Sequence, residues 1–549
     1  MSRHAVKQTM TRRDLLSAGA RGASLALLGG GVLSIESAPT LGAPAGSAGR
    51  VLSVATLLNI KTLDPGRTLE NGTNNIAHVT YDTLVTFAGE DLATIRPSLA
   101  TKWSTSPDGL TYTFTLRPNV KFASGNPMTS ADFKWSFERL MHIKGNGAWL
   151  LDGVEAVLAP NPTTVVLKLS RPVPALLPIL TAPPLSPVDT KVVAANGGDA
   201  GPDAKDKDTA EGYLNAHSAG TGAFVLTSYV PNQELVLAKN PTFWRGPSDL
   251  DRVVIRNVAE PSAQALMVQK GDVDIAVNIQ ADQALQLRHV PGVTVRTSPA
   301  LNVVNIIMNS NPQVGGPFSH PKVRQAIRYA IDYQGVMALA APGSVRSAGI
   351  IPPSFPGARP RGEAAKTDRE RARALLKEAN LGNVEGTFIY SSTYASFGVD
   401  TSILSQKIQH DLAAVGIKVK LVDLPYAVQV QQYRDGKIPM GLGGWLADYM
   451  DMSDYLVFLP GRTVGKRLQW FPDSSPEAQE IVKLGARTET EVDRAKAIAL
   501  YQELDRRISD AGPYIPLYQP AVPYAFRSNV KGVTYNTGWY VDYSTISKT

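Results

Sequence analysis

The sequence predicts an α/β fold divided into at least two lobes, on three observations. The chain has 549 residues, and roughly 504 remain once an N-terminal leader is set aside, well beyond the size at which a single hydrophobic core stops growing. Segments alternating at strand period lie between capped segments at helix period along the whole length. Near the middle, Ile403, Leu404, Ile408, Leu412 and Val415 form one apolar face, Gly416 ends it, and Ile417-Lys418-Val419-Lys420-Leu421 alternates as a strand. Such a helix-to-strand joint is typical of α/β layering. Composition agrees: 43% hydrophobic, 19% charged, 46 Gly and 39 Pro exclude disorder, collagen and coiled coil.

The first 45 residues read as an address rather than as fold. Thr11-Arg12-Arg13-Asp14-Leu15-Leu16 precedes an Ala/Gly/Leu stretch, and Ala43-Pro44-Ala45 offers the small side chains of a cleavage site. This pattern resembles a twin-arginine export signal. Its uncharged run, residues 22–35, falls short of the roughly 20 apolar residues a span needs, and Arg21 makes insertion costly. A mature chain beginning near Gly46 in the periplasm is therefore expected, with cleavage near Ala45. Net charge is +7. Arg3, Lys7, Arg12, Arg13 and Arg21 against Asp14 and Glu36 place a surplus of three in the leader. The rest is spread thinly, without a basic cluster interleaved with aromatics, so nucleic acid is not an expected partner.

In the mature chain, residues 50–55 and Thr111-Tyr112-Thr113-Phe114-Thr115-Leu116-Arg117 read as strands, the second alternating hydroxyl with apolar side chains. Thr129-Ser130-Ala131-Asp132 is a capping box opening a helix with Phe133, Phe137, Leu140 and Met141 on its stripe and Trp135 at an edge. Residues 163–169 and 252–256 are further strands. Residues 196–212 (NGGDAGPDAKDKDTAEG) have little to bury and read as a solvated crossing loop. Residues 303–308 form a short apolar run. Ser319-His320-Pro321 then opens a helix with Val323, Ala326, Ile327, Ala330 and Ile331 on one stripe. Thr367-Asp368-Arg369-Glu370 is a second capping box, whose helix stops at Asn380-Leu381-Gly382. Pro476 and Thr490-Glu491-Val492-Asp493 begin two more helices before the final Pro-, Tyr- and Gly-rich strands.

Much chemistry is missing. With no Cys, disulfides, thiol nucleophiles, thiolate zinc sites and attachment of a lipid to Cys are excluded. The seven His include no pair spaced as in a zinc protease, and no phosphate-binding loop occurs, since Gly461 to Lys466 is one residue short. Gly441-Leu442-Gly443-Gly444 is not a dinucleotide fingerprint. Ser-x-x-Lys spacings at Ser319 and Ser528 lack the companion elements of the serine enzymes that use them. Asp272 with Asp274, or Asp448 with Asp451, could serve a carboxylate-based secreted hydrolase; exposed surface acids are the other reading. No cofactor and no metal are implied.

An ordered series of segments resembles the peptide and nickel class of ABC-transporter solute-binding proteins, the three-domain relatives of dipeptide and oligopeptide receptors. It runs from Leu63-Asp64-Pro65 and 81–85 (YDTLV) through 96–103 (RPSLATKW), 106–117 (SPDGLTYTFTLR), 120–122 (VKF) and 132–139 (DFKWSFER). It continues with 220–224 (GTGAF), 239–244 (KNPTFW), 270–274 (KGDVD), 323–332 (VRQAIRYAID) and 444–449 (GWLADY). The resemblance implies a two-lobed periplasmic-binding-protein fold of class II type, with a hinge between the lobes. After the signal peptide of 1–45, domain I would be discontinuous (46–88, 221–303 and 520–549), domain II an insertion (89–220), and domain III continuous (304–519). It also implies a non-enzymatic, monomeric receptor that hands a di- or oligopeptide, or a similar amine-bearing solute, to a membrane permease driven by separate ATPase subunits. A nickel-chelate or oligosaccharide receptor of the same fold is the alternative.

Within that resemblance Asp448 occupies the position of the aspartate that pairs with a ligand α-ammonium. As plain chemistry, it is either a carboxylate desolvated by lobe closure, which demands a cation, or a helix cap. Trp445 is either an aromatic wall or core packing. Tyr394, in residues 391–396 (SSTYAS), and Asn59, after the first strand, are expected to line the cleft. Where the family often continues with an acidic residue and proline, this chain reads Met450-Asp451-Met452-Ser453-Asp454, which implies a reshaped rim.

Overall fold

The strand at Val51–Thr56 is buried along most of its length and pairs on both sides, parallel to Arg252–Asn257 and to Ile275–Ala276. A computed structural model of the chain describes residues 50–394, 398–536 and 538–549; the signal segment expected over 1–45 lies outside them. Among the described residues Val51–Thr56 is central to a seven-stranded sheet ordered Val293–Pro299, Ala521–Arg527, Ile275–Ala276, Val51–Thr56, Arg252–Asn257, Glu234–Lys239, Phe224–Val230. A six-stranded sheet is ordered Val345–Arg346, Tyr514–Gln519, Val304–Met308, Met440–Gly443, Val384–Tyr390, Ile417–Asp423. The apolar run at Val304–Met308 is wholly buried because it lies inside this sheet, covered on both faces. Each sheet has its own core, one around Leu52, Val54 and Ile255 and the other around Ile306, Val323 and Leu404.

The chain crosses between these sheets at two described places, after Pro299 and after Gln519. The crossings lie side by side: the Ala300 amide donates to the Pro520 carbonyl at 2.8 Å, and Gln519 Nε2 donates to the Ala300 carbonyl at 2.8 Å.

A four-stranded antiparallel sheet (Ala100–Thr105, Thr111–Leu116, Thr164–Leu169, Val154–Asn161) stands apart in sequence from both. Its second strand buries alternate side chains, as the hydroxyl and apolar alternation requires. The helix Ser130–Ile143 opens with the Thr129–Asp132 capping box and lays Phe133, Phe137 and Leu140 on this sheet. From the same helix Arg139 reaches a buried ionic cluster. It donates to both oxygens of Asp64 at 2.7 and 2.6 Å and to both of Asp208 at 2.7 and 2.9 Å. Arg67 adds a further bond to Asp208 at 2.9 Å.

That cluster corrects the reading of 196–212 as a solvated loop. The segment contains the short helix Ala204–Lys207 and runs into a second, Glu211–Leu214, and Asp208 is buried because Arg139 demands a second carboxylate. Two capping assignments also shift. Asp368, rather than Thr367, caps Arg369–Ala379 by accepting from the Arg371 amide, while Thr367 Oγ1 donates to the Ile331 carbonyl. Asp493, rather than Thr490, caps Arg494–Ala511. Ile403 is 49% exposed and leaves the apolar face of Thr401–Ala413 to Leu404, Ile408 and Leu412. The Gly416 joint is present, at φ +93°, followed by a strand parallel to Val384–Tyr390. Among the described residues no helix is long and apolar enough to cross a membrane.

Candidate functional site

The strand Met440–Gly443 runs between Val304–Met308 and Val384–Tyr390, so closely that a Cβ on Gly441 would lie 2.3 Å from the Ile389 carbonyl oxygen. Beyond the strand's end, Trp445 to Asp448 emerge as irregular chain pinned to the first crossing. The Trp445 amide donates to Asn302 Oδ1 at 3.0 Å, and the Ala447 amide to the Leu301 carbonyl at 3.1 Å. Asp451 then caps the 3-10 helix Met452–Phe458 by accepting from the Ser453 amide at 2.9 Å. The sheet thus delivers three acids within seven residues to one wall.

That wall faces a cavity of about 670 Å³, within the usual range for small-molecule sites. Trp445, Asp448, Asp451, Asp454, Arg467 and Tyr501 line one side; Trp149, Asp152, Arg171 and Ile179, around the four-stranded sheet, line the other. The two sides meet. Tyr449 packs into the core beside Leu150 and Ile179, its ring 5.9 Å from that of Trp149. Glu489 accepts from Arg462 at 2.9 Å and approaches Arg171 at 3.5 Å.

The acids differ sharply in their partners. Asp451 is paired with Arg494 at 3.1 Å. Asp454 accepts from Trp445 Nε1 at 2.8 Å through Oδ2, while its buried Oδ1 has no partner. Asp448 is half-buried. Burial raises its carboxyl to about 7, against the pull of the Arg467 guanidinium. Burial, then the charge of Asp448, holds Asp454 well above the usual carboxylate range. The same negative field reaches Tyr449 and Tyr455, whose phenols are raised chiefly by burial and next by Asp454. Arg467 stacks over Trp445 at 5.5 Å and over Tyr433 at 5.2 Å. Among the described residues, no group of three or more His, Asp and Glu is arranged to hold a metal ion. Chemically the wall is an apolar and aromatic surface with surplus negative charge at one end, suited to a ligand that carries a cation.

Of the four residues singled out from sequence, the structure brings Asp448 and Trp445 together on this wall. Tyr394 is not among the lining residues; it stacks on Tyr426 with ring centroids 4.6 Å apart. Asn59 is also outside the lining, exposed after the first strand. Sequence reasoning passed over Asp454, Arg467, Trp149, Arg171 and Glu489. Asp454 alone carried a local signal, a third acid in the 448–454 run, whereas the others converge only through tertiary packing. The hydrolase pair Asp272 and Asp274 lies elsewhere, Asp274 accepting from Ser53 and Lys548.

Residues 94–465 match the family model described as bacterial extracellular solute-binding proteins, family 5 Middle. The chain is 27% identical to the "Probable D,D-dipeptide-binding periplasmic protein DdpA" of Escherichia coli K12, over 88% of this chain and 92% of that one. It is 27% identical to di/tripeptide-binding protein 2 of Pseudomonas aeruginosa, with the same coverage. Among solved structures, the ABC transporter-associated periplasmic binding protein DppA of Helicobacter pylori, in complex with the peptide STSA, superposes with a TM-score of 0.75. It shows 25% identity, over 91% of this chain and 98% of that one. With the family model matched over more than half of its length, the chain, a two-lobed α/β protein, belongs to the bacterial extracellular solute-binding proteins of family 5.

Proposed function

We propose that this protein captures a di- or oligopeptide, or a similar amine-bearing solute, between its lobes and presents it to an ABC permease worked by separate ATPase subunits. The observation that carries the reading is Asp448, half-buried on the cavity wall and raised by desolvation, with no cationic side chain in ion-pair contact among the described residues. A carboxylate so placed is relieved by a ligand that brings a cation, and a closed state that gains that pairing is favoured over an open one. Relatives named for dipeptides, di/tripeptides and glutathione support an amine-bearing ligand. Trp445 and Trp149 supply apolar walls for side chains of varied identity. The protein performs no chemistry on its cargo; its output is the closed shape.

The same reading includes a periplasmic monomer without nucleic-acid partners, exported by a twin-arginine signal and cleaved near Ala45. N-terminal sequencing of the exported protein should begin near Gly46. It also includes the partition into domain I (46–88, 221–303, 520–549), domain II (89–220) and domain III (304–519). The strand membership of the two large sheets supports this partition. Thermal unfolding with a dipeptide panel tests the function. A ligand at 100 times its Kd adds about 2.7 kcal/mol of stability, and no shift with any peptide or amine would overturn the reading.

A further inference from the structure

Capture of one ammonium by Asp448 leaves Asp454 unexplained. It is 1% exposed. One oxygen accepts from the Trp445 indole at 2.8 Å, the other is buried with no hydrogen-bond partner, and no cationic side chain forms an ion pair with it among the described residues. Asp451, three residues earlier, shows what an ionised carboxylate receives here: an arginine at 3.1 Å and a backbone amide at 2.9 Å. A second anion lacking such an arginine, with one oxygen left unsatisfied, and close enough to Asp448 for their charges to interact, is strongly disfavoured in a water-poor setting.

The titratable and charged groups around it allow no other way to neutralise it. On its own segment stand Asp448, Asp451, Tyr449 and Tyr455; on the helix Arg494–Ala511 stand Arg494, bound to Asp451, and Tyr501. Arg467 stacks on Trp445 and acts on Asp448. Across the cavity Arg171 and, nearer, Arg462 face Glu489, with Asp152 beside Arg171. The remaining means is a proton.

Resting on the amine-receptor reading above, we infer that Asp454 is a positioning residue that stands in the cleft as a neutral carboxylic acid, so that Asp448 is the one uncompensated anion of the 448–454 wall and that wall's charge matches a single ammonium. The wall then presents Asp448 as its anion toward the ligand and a neutral acid beneath the tryptophan that shapes the approach. A ligand with one cation near this wall is matched, and a second ligand cation there finds no second anion.

Infrared spectroscopy of the ligand-free mature protein at pH 8.5, where Asp448, raised only to about 7, is almost wholly ionised, tests this directly. The expected result is a neutral carboxylic-acid C=O band that disappears in Asp454→Asn and persists in Asp448→Asn. An ionised aspartate gives no such band, and a wild-type spectrum without a band assigned to Asp454 overturns the inference. Should Asp454→Asn fail to fold, carbon-13 NMR titration of aspartate-labelled wild-type protein and Asp448→Asn reads the same proton. Calorimetry with Ala-Ala supplies the second arm. Asparagine mimics the neutral acid, so Asp454→Asn should keep affinity within about threefold, whereas Asp448→Asn should lose at least about 100-fold. A comparable loss in both variants overturns the inference. If Ala-Ala and the rest of the dipeptide panel fail to bind wild type, the receptor reading falls while the infrared result still decides the protonation of Asp454.

Discussion

Two buried acidic sites in this molecule use the same side chains to opposite ends. Around Arg139 two aspartates, Asp64 and Asp208, are each met by two hydrogen bonds from one guanidinium, with Arg67 alongside. Burial pushes Asp208 up, yet Arg139 outweighs it and holds the carboxyl below its usual range. Around Asp448 and Asp454 two aspartates share no such cation, and both are pushed up. The first site is closed and ties the helix Ser130–Ile143 to distant chain. The second is open and faces a cavity. Burial of acid by itself therefore does not set the second site apart; buried acid that faces a cavity without its counter-charge does.

The comparison can be broken most forcefully at Arg139. Arg139→Met leaves two carboxylates buried without their cation and should lower unfolding stability by about 3–5 kcal/mol, read by urea denaturation. A loss below about 1 kcal/mol would mean the cluster is not the closed charge set described. Next in size, Asp448→Asn should cost about 3–4 kcal/mol of affinity for an ammonium-bearing dipeptide by calorimetry, the opposite of a fold defect.

The pH dependence of the empty protein sharpens the contrast. Asp448 is raised from 3.8 to about 7, so between these values the folded state holds a proton the unfolded state has lost, and stability falls as pH rises. Asp505, fully buried and raised to about 6 chiefly by burial, adds to the same trend, so the comparison with Asp448→Asn isolates the cavity. The variant should match wild type near pH 4 and exceed it near pH 8 by on the order of 1–2 kcal/mol, discounted because Asp448 is only half-buried. Affinity for an ammonium should rise over the same interval. The smallest effect belongs to Glu489→Gln, which cuts a part-exposed bridge between Arg462 and Arg171. It should change stability by less than about 1 kcal/mol, an effect erased in high salt.

Local pattern made much of the fold legible. The alternation at Thr111–Leu116, the Thr129 box and the Gly416 joint stand where their chemistry puts them, since each is decided by residues a few positions apart. Residues 196–212 were misleading because polarity suggests solvation, and nothing nearby reveals that Arg139 claims Asp208 from 69 positions away. The site divides likewise. Asp448 and Trp445 sit in one recognisable run, whereas Trp149 lies some 300 residues upstream and reaches the cavity only because Tyr449 packs into the core beside it. Tyr394 and Asn59 illustrate the converse: a loop at a strand's end is placed near the right edge of a sheet, but which way its side chain turns is settled by neighbours such as Tyr426.

The paired crossings have a mechanical consequence. Because the links after Pro299 and Gln519 are fastened to each other through Ala300, Gln519 and Pro520, they act as a twin-leaf pivot that yields to bending and resists shear. The Trp445 to Asp448 segment is anchored to Asn302 and Leu301 on one leaf, so the wall that carries Asp448 is registered on the pivot itself rather than on a free loop.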